Sequence, residues 1–487
     1  MKRHRNYAIK FFIFVMLLSI CDADLQGVDS QKQPNILFIA VDDLNDWVGC
    51  LGGHPQAITP NIDLLASKGM LFTNAHCQAP ICGPSRASIM TGLYPATSGN
   101  YLQVKDKDIQ KAGDAAEQAV FLPDYFEKYG YKTLGVGKIY HNGDQASTFD
   151  EYGGIFEKYG PRPGKRMNFD PAWFGYPNGT STDWGAYPEH DSLMPDHKSA
   201  NWAVEQLHAQ HERPFFLAVG FIRPHVPWLV PPKWFDIYSS MEMVRPPYNP
   251  DDFNDIPELG QRVAASPQMP TTEYLIEKGQ WEDVVCAYLA CVTFVDAQIG
   301  RVLDALEGSA YAENTIVVLW GDHGYHLGEK NRFAKQALWE RDTRVPLVIR
   351  QPGATGETCN APVELVDLYP TLLDLAGLPP NPLTEGNSLR PLLDDPSIRW
   401  KQPALSFYGI GNVSVRDERY RLIQYEDGSQ EFYDMQKDPN EWTNLAHKRK
   451  NSVKIRHLLG YVPEEWAANS PYSSYSWNEY FRNKTGK

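Results

Sequence analysis

An acidic pair, an Asp-His pair and a cysteine set before a proline are the residues of this chain best suited to do chemistry. Asp42 and Asp43 end the apolar run Asn35–Val41, and Asp322 and His323 follow the apolar run Thr315–Trp320. Three carboxylates brought to one edge repel one another unless a cation sits among them. Oxygen-rich ligation of that kind suits calcium or magnesium, and His323 adds a further donor. Cys82 opens the run Cys82-Gly83-Pro84-Ser85-Arg86, continued by Ala87 to Met90 and the pair Thr91-Gly92. Pro84 fits the first turn of a helix, where its missing N–H costs nothing. The side chain at 82 then lies at the helix N-terminus, where free N–H groups and the dipole favour an anion. Each feature alone has an ordinary explanation, either acidic turn residues after a strand or a buried structural cysteine.

The elements that must position these residues follow from hydrophobic patterning. Asn35–Val41 is a continuous apolar run of strand length, the pattern of a strand buried on both faces. Further strands are predicted at Thr133–Val136, Phe215–Gly220, Thr315–Trp320 and Val345–Ile349. Helices are predicted from Thr59-Pro60-Asn61 to Lys68, and over Phe121–Tyr129, Ala287–Leu306 and Val363–Ala376. This alternation gives an α/β fold with a mostly parallel sheet and helices on both sides. Ligands of such sheets gather beyond the carboxyl ends of the strands, where both pairs fall. Gly137-Lys138-Ile139-Tyr140-His141 and Arg223-Pro224-His225-Val226-Pro227 follow two other predicted strands. Residues 141–213, rich in Gly, Pro, Trp and Asp, read as an insertion shaping a cleft, and 228–280 are similarly irregular. After about 385, short antiparallel strands are expected at Pro403–Tyr408, Val413–Arg416, Tyr420–Tyr425 and Glu431–Tyr433.

A net charge of −14 over 487 residues argues against nucleic acid as a partner, which needs a concentrated basic surface. The 13 Trp and 26 Tyr suit a protein that stacks sugar rings. Trp173, Trp184 and Trp228 are candidates, although each such residue packs more often than it binds. Lys2, Arg3, His4 and Arg5 precede the apolar run Phe11–Ile20 and the small residues near Ala23. This reads as a signal peptide over 1–23, followed by a polar linker over 24–34. The run is too short for a stable membrane span, and bulky Ile20 disfavours a lipoprotein anchored through Cys21. The expected location is therefore exported, periplasmic or secreted. Cys50, Cys77, Cys82, Cys286, Cys291 and Cys359 remain, allowing one or two disulfides at most. Cys286 and Cys291, five apart on one predicted helix, are poorly placed for bridging.

The run from Cys82 to Gly92 resembles the signature of the formylglycine-dependent (type I) sulfatases, Cys-x-Pro-Ser-Arg with a Thr-Gly pair downstream. The resemblance extends over residues 34–450. Val41-Asp-Asp-Leu-Asn45, Gln78-Ala-Pro-Ile-Cys82 and Arg223-Pro-His-Val-Pro227 look most like the iduronate-2-sulfatase branch. It implies an alkaline-phosphatase-like α/β fold: a large mixed, mostly parallel sheet flanked by helices, with a smaller C-terminal antiparallel sheet. On that basis 35–384 is the catalytic domain, with its insertion at about 141–213, and 385–487 the C-terminal subdomain.

The same resemblance implies a metal site of Asp42, Asp43, Cys82, Asp322 and His323 holding one Ca2+ per chain. The implied catalytic residues are Cys82, Arg86, Lys138, His141, His225 and Lys335. Cys82 would become Cα-formylglycine through a formylglycine-generating enzyme, the partner needed for maturation. One hydroxyl of the hydrated aldehyde attacks sulfur while Arg86, Lys138, Lys335 and the metal neutralise the sulfate oxygens. His225 with Lys335 eases departure of the sugar oxygen, and His141 takes the proton from the second hydroxyl so that sulfate is expelled. The implied substrate is a sulfated polysaccharide or its oligosaccharides, with a 2-O-sulfated uronate or an algal glycan such as ulvan. Two rival readings are a phosphonate or phosphodiester hydrolase of the same superfamily and a catalytically silent, anion-binding carbohydrate receptor.

Overall fold

Every residue of Asn35–Val41 is buried, and the two faces of that strand explain its unbroken apolar sequence. Leu37, Ile39 and Val41 face a core shared with the helix Trp281–Glu307. Ile36, Phe38 and Ala40 face a second core, shared with the helices Cys82–Thr91, Leu122–Lys128 and Leu368–Leu375. A strand covered on both faces must be apolar at every position, not at alternate ones. The computed structural model describes residues 33–143, 146–157, 159–168, 181–266 and 269–473. The expected signal peptide, the linker up to residue 32, and Trp173 lie outside these.

The main sheet contains β1 (Asn35–Val41), β2 (Met70–His76), β3 (Lys132–Gly137) and the short β4 (Glu151–Tyr152). A separate ribbon pairs β5 (Trp184–Ala186) with β7 (Trp228–Val230). The main sheet resumes with β6 (Phe215–Phe221), β8 (Thr315–Gly321), β9 (Arg344–Arg350), β10 (Glu357–Cys359) and β11 (Val363–Glu364). Its order is β10-β2-β9-β8-β1-β6-β3-β4, with β11 also on β2. All neighbours are parallel except β9, which runs antiparallel to both β8 and β2. Two reversals restore the direction of β2, so it too ends at the carboxyl edge of the sheet. Val41 pairs with Phe221 on one side and Gly321 on the other, so β1, β6 and β8 finish level.

Four strands, β12 (Ala404–Phe407), β13 (Val413–Arg416), β14 (Tyr420–Gln424) and β15 (Gln430–Asp434), form the small antiparallel sheet near the expected positions. Phe407 N–H donates to the Gln78 carbonyl (2.8 Å) and the Ser406 hydroxyl to the Cys77 carbonyl (2.5 Å), tying this sheet to the segment before Cys82.

Several expectations shift. The helix expected over Val363–Ala376 begins only at Leu368, because Pro370 belongs in a first turn. Residues 363–364 join the sheet instead, and a Glu364–Asp367 capping box follows. The insertion contains a 14-residue helix, Pro195–His208, which buries Ala200, Ala203 and Leu207. Trp184 and Trp228 are core residues, 2 % and 0 % exposed, and present no face to a sugar. The long helix Trp281–Glu307 is apolar enough to cross a membrane, but 83 % of that apolar stretch is buried inside the protein. All six cysteines among the described residues are unpaired.

That long helix also caps a neighbour. Asp296 accepts from the backbone N–H of Asn61 (3.2 Å) and Ile62 (2.8 Å) and from the Asn61 amide (2.7 Å). It thereby satisfies the start of the helix Pro60–Ala66, where Thr59 supplies no side-chain cap. Asp296→Ala leaves two backbone donors unpaired and is expected to cost about 2 kcal/mol. Chemical denaturation should record that loss with kcat unchanged; an unmoved midpoint would show that the cap contributes nothing.

Candidate active site

The level ends of β1 and β8 put Asp42 and Asp322 side by side. Successive side chains of a strand face opposite ways. Asp43, however, adopts a left-handed backbone (φ 60°), which Asp tolerates better than most residues. That turn brings the second carboxylate round to the same cluster. β3 delivers Lys138, and β6 leads into Arg223–His225. β2 leads through Cys77–Ile81 into the helix Cys82–Thr91, whose ten residues are all buried. Lys335 arrives on the loop that precedes β9.

The motif residues each have a local task. The Ser85 hydroxyl donates to the Asp322 carbonyl (2.5 Å), docking the helix on the end of β8. Gly92 closes the helix with φ 73°, the left-handed C-cap that glycine adopts without strain. Arg86 sets Nε on Asp322 Oδ2 (2.8 Å) and Nη1 on the carbonyls of Lys138 and Ile139, while Nη2, 3.6 Å from Asp42 Oδ1, is buried with no hydrogen-bond acceptor. It holds the carboxylates in place, and its guanidinium keeps one nitrogen unmatched at the cluster.

At the centre, the Cys82 Sγ lies 3.0 Å from Lys335 Nζ, 3.2 Å from His323 Nε2 and 3.9 Å from Asp43 Oδ1. Lys335 also donates to Asp43 Oδ1 (2.6 Å), and Lys138 pairs with Asp42. His323 Nδ1 donates to the Gly324 carbonyl (2.9 Å), which leaves Nε2 turned toward the sulfur. His225 Nδ1 is likewise fixed on the Val226 carbonyl (2.6 Å), with Nε2 4.0 Å from Asp43 Oδ2. His141 is half-buried at the end of the Lys138 loop. Asp106 holds that loop through the backbone N–H groups of His141 (3.0 Å) and Asn142 (2.6 Å).

The electrostatics follow from burial among opposed charges. Burial and Asp42 push the Cys82 thiol up, but Lys138, Lys335 and His323 outweigh them and bring it down to about 6. Burial works against the Asp42 carboxylate, yet Lys138, His225 and Arg86 hold it well below the usual range. His225 is pushed down to about 4 by burial and by Lys335.

Asp42, Asp43, Cys82 and His323 offer four ligand atoms within 4.8 Å of one another. Asp42 Oδ1 and Asp43 Oδ2 are buried with no hydrogen-bond donor. Lone pairs left unmatched in this way fit a hard divalent cation. Asp322, expected as a further ligand, adjoins that group: its Oδ1 lies 3.6 Å from His323 Nε2 and accepts from the Asp43 N–H (3.0 Å), while Oδ2 accepts from Arg86.

Two residues were not foreseen. Tyr288, on the long helix, donates to the Asp43 carbonyl (2.8 Å) and fixes the turn. Gln103 lies over the start of the Cys82 helix, where a Cβ on Gly83 would meet its Oε1 at 2.0 Å. Neither had a signal in the sequence beyond an ordinary Tyr or Gln.

A family model described as Sulfatase matches residues 34–378, and one described as N-sulphoglucosamine sulphohydrolase, C-terminal, matches 328–462. A sulfatase of Formosa agariphila is 46 % identical over 482 residues, 96 % of this chain and 95 % of its own. Human iduronate 2-sulfatase is 31 % identical over 417 residues, 75 % of this chain and 73 % of its own. A solved 2-O GAG sulfatase superposes with a TM-score of 0.68 at 25 % identity, covering 88 % of this chain and 92 % of that one. The mixed sheet, its flanking helices and the small C-terminal sheet are thus the alkaline-phosphatase-like fold of these proteins. The chain belongs to the sulfatase family and is a sulfuric ester hydrolase.

Proposed function

We propose that the protein removes sulfate from a sulfated polysaccharide or its oligosaccharides, with Cys82 converted to formylglycine and one Ca2+ held by Asp42, Asp43, Asp322, His323 and residue 82. The observation that carries this reading is the Cys82 Sγ, seated at a buried helix N-terminus against Lys335, His323 and Asp43. Formylglycine there would supply a hydrated aldehyde, one hydroxyl to attack sulfur and a second to let sulfate leave without attack by water. Calcium would supply positive charge beside the attacked sulfur, and the unmatched oxygens of Asp42 and Asp43 support it.

The side chains divide the remaining work. Lys138 and Lys335 act as fixed point charges for the sulfate oxygens. Lys335 depresses His225 in the free site. An incoming sulfate offsets that cation, so His225 gains its proton with the substrate and gives it to the departing sugar oxygen. His141 is the base that follows, and Arg86 keeps Asp42 and Asp322 in register and adds its unmatched Nη2 to the charges that face the sulfate.

The substrate class favoured is a 2-O-sulfated uronate at a chain end, supported by the likeness to iduronate 2-sulfatase and to a 2-O GAG sulfatase. Export to the periplasm or medium is part of the same reading, supported by Lys2–Arg5 and the apolar run after them. The decisive comparison uses the sulfate ester and the phosphonate monoester of one phenol. The expected kcat/KM favours the sulfate by about 100-fold or more; a preference for the phosphonate would replace this reading with a phosphonate hydrolase. Desulfation of a 2-O-sulfated uronate disaccharide, set against an ulvan oligosaccharide, then decides the sugar.

A further inference from the structure

On the small antiparallel sheet, sharing no residue with the active site, lies a groove of about 350 Å³. Its walls are the segment that leads into β12, the turn between β13 and β14, and the helix Ser452–Leu459. Arg399 and Lys401 line it, both exposed, and neither has a carboxylate partner among the described residues. Between them Trp400 is half-buried, its inner part packed on the core and the rest in the groove. Tyr461 donates to the Lys401 carbonyl (3.3 Å), fixing the backbone that carries both cations.

The opposite wall is aromatic and of mixed charge. Tyr420 stacks on Phe432 with ring centroids 5.3 Å apart. Over the Tyr420 ring lie Lys454 Nζ (4.3 Å) and the Arg419 guanidinium (5.1 Å). Arg419 is paired with Asp434, and Asp417 Oδ1 accepts from the backbone N–H groups of Arg419 (2.7 Å) and Tyr420 (2.6 Å). Asp417, half-buried, and Glu418, exposed, are the two acidic side chains that line the groove.

Unmatched cations beside an indole are unexpected on a chain of net charge −14. Solubility does not require them there, and no ion pair of the fold uses them. Guanidinium and ammonium groups set about an aromatic plane match a sulfated sugar, whose esters take the cations and whose ring takes the indole face. We propose that this groove is a second carbohydrate site, which holds an internal stretch of a sulfated polysaccharide away from the catalytic centre. The inference rests on the reading of a sulfated glycan as substrate, and it adds retention of the polymer between turnovers.

The test is affinity electrophoresis of the intact protein through gels containing dextran sulfate, plain dextran or poly-glutamate. The wild type is compared with Arg399→Glu/Lys401→Glu, whose changes lie on exposed side chains. The expected result is retardation by dextran sulfate alone, with affinity lowered about fivefold or more in the variant and aryl-sulfate kcat/KM unchanged. Equal dextran sulfate affinity in both proteins would overturn the site, and equal retardation by poly-glutamate would overturn its assignment to a sugar. Aryl-sulfate turnover is read separately, so failure of the groove is distinct from failure of the proposed activity.

Discussion

Cys82→Ala is expected to lower aryl-sulfate turnover by about 10⁴-fold or more while leaving the fold intact. Residue 82 is 1 % exposed, and alanine is a good helix former that removes only the sulfur from its site. What is lost is the one atom that Lys335, His323 and Asp43 all approach. The remaining cations can still bind sulfate, so the variant should retain product affinity without turnover. In the active wild type, the peptide containing residue 82 should be about 18 Da lighter than its sequence mass, the signature of the aldehyde. Cys82→Ser sharpens the test: serine has no second hydroxyl on that carbon, so it should release at most one alcohol per chain. Full turnover by Cys82→Ala would sink the proposed chemistry.

Asp43→Asn is expected to reduce kcat by about 100-fold or more and to abolish stabilisation by calcium. Asparagine is the appropriate change because it accepts the left-handed backbone at 43; alanine there would add strain unrelated to charge. The substitution removes the anion that pairs with Lys335 and lies 3.3 Å from His323 Nε2. It also replaces one of the two carboxylates whose second oxygen is unmatched and makes the cluster hospitable to a cation. With calcium at about a hundred times its dissociation constant, the wild type should gain roughly 3 kcal/mol. Thermal denaturation with and without calcium reads this directly. An equal calcium shift in both proteins would show that Asp43 is not a ligand.

The parts of this molecule legible in its sequence are those in which one physical requirement acts alone. A strand covered on both faces must be apolar throughout, so β1, β6 and β8 stood out, and the acidic residues at the ends of β1 and β8 with them. Cys82, Lys138, His225 and Lys335 were found because their spacing resembled a known signature; their meeting around one sulfur atom needed the register of three strands. The misreadings came from competing requirements. β2 carries one β-branched residue among seven and offers no alternation, so only its partners make it a strand. Trp184 and Trp228 looked available because the segments around them are irregular, yet an irregular backbone can still frame a packed core. Arg86 stood out through the signature alone, and only the geometry revealed that it also ties Asp322 to the carbonyls of Lys138 and Ile139.

The helix that begins at Cys82 is buried along its whole length, and its first side chain is sealed beneath Lys335 and His323. On the proposed reading, the enzyme that oxidises this cysteine must grip residues 82–86 as an open peptide, which the folded protein never offers. Conversion then belongs to the nascent or still-unfolded chain, and folding closes the opportunity. Yield of active protein would be decided by a race between two clocks, oxidation and folding, so slower synthesis in the host would raise specific activity without altering a single native contact.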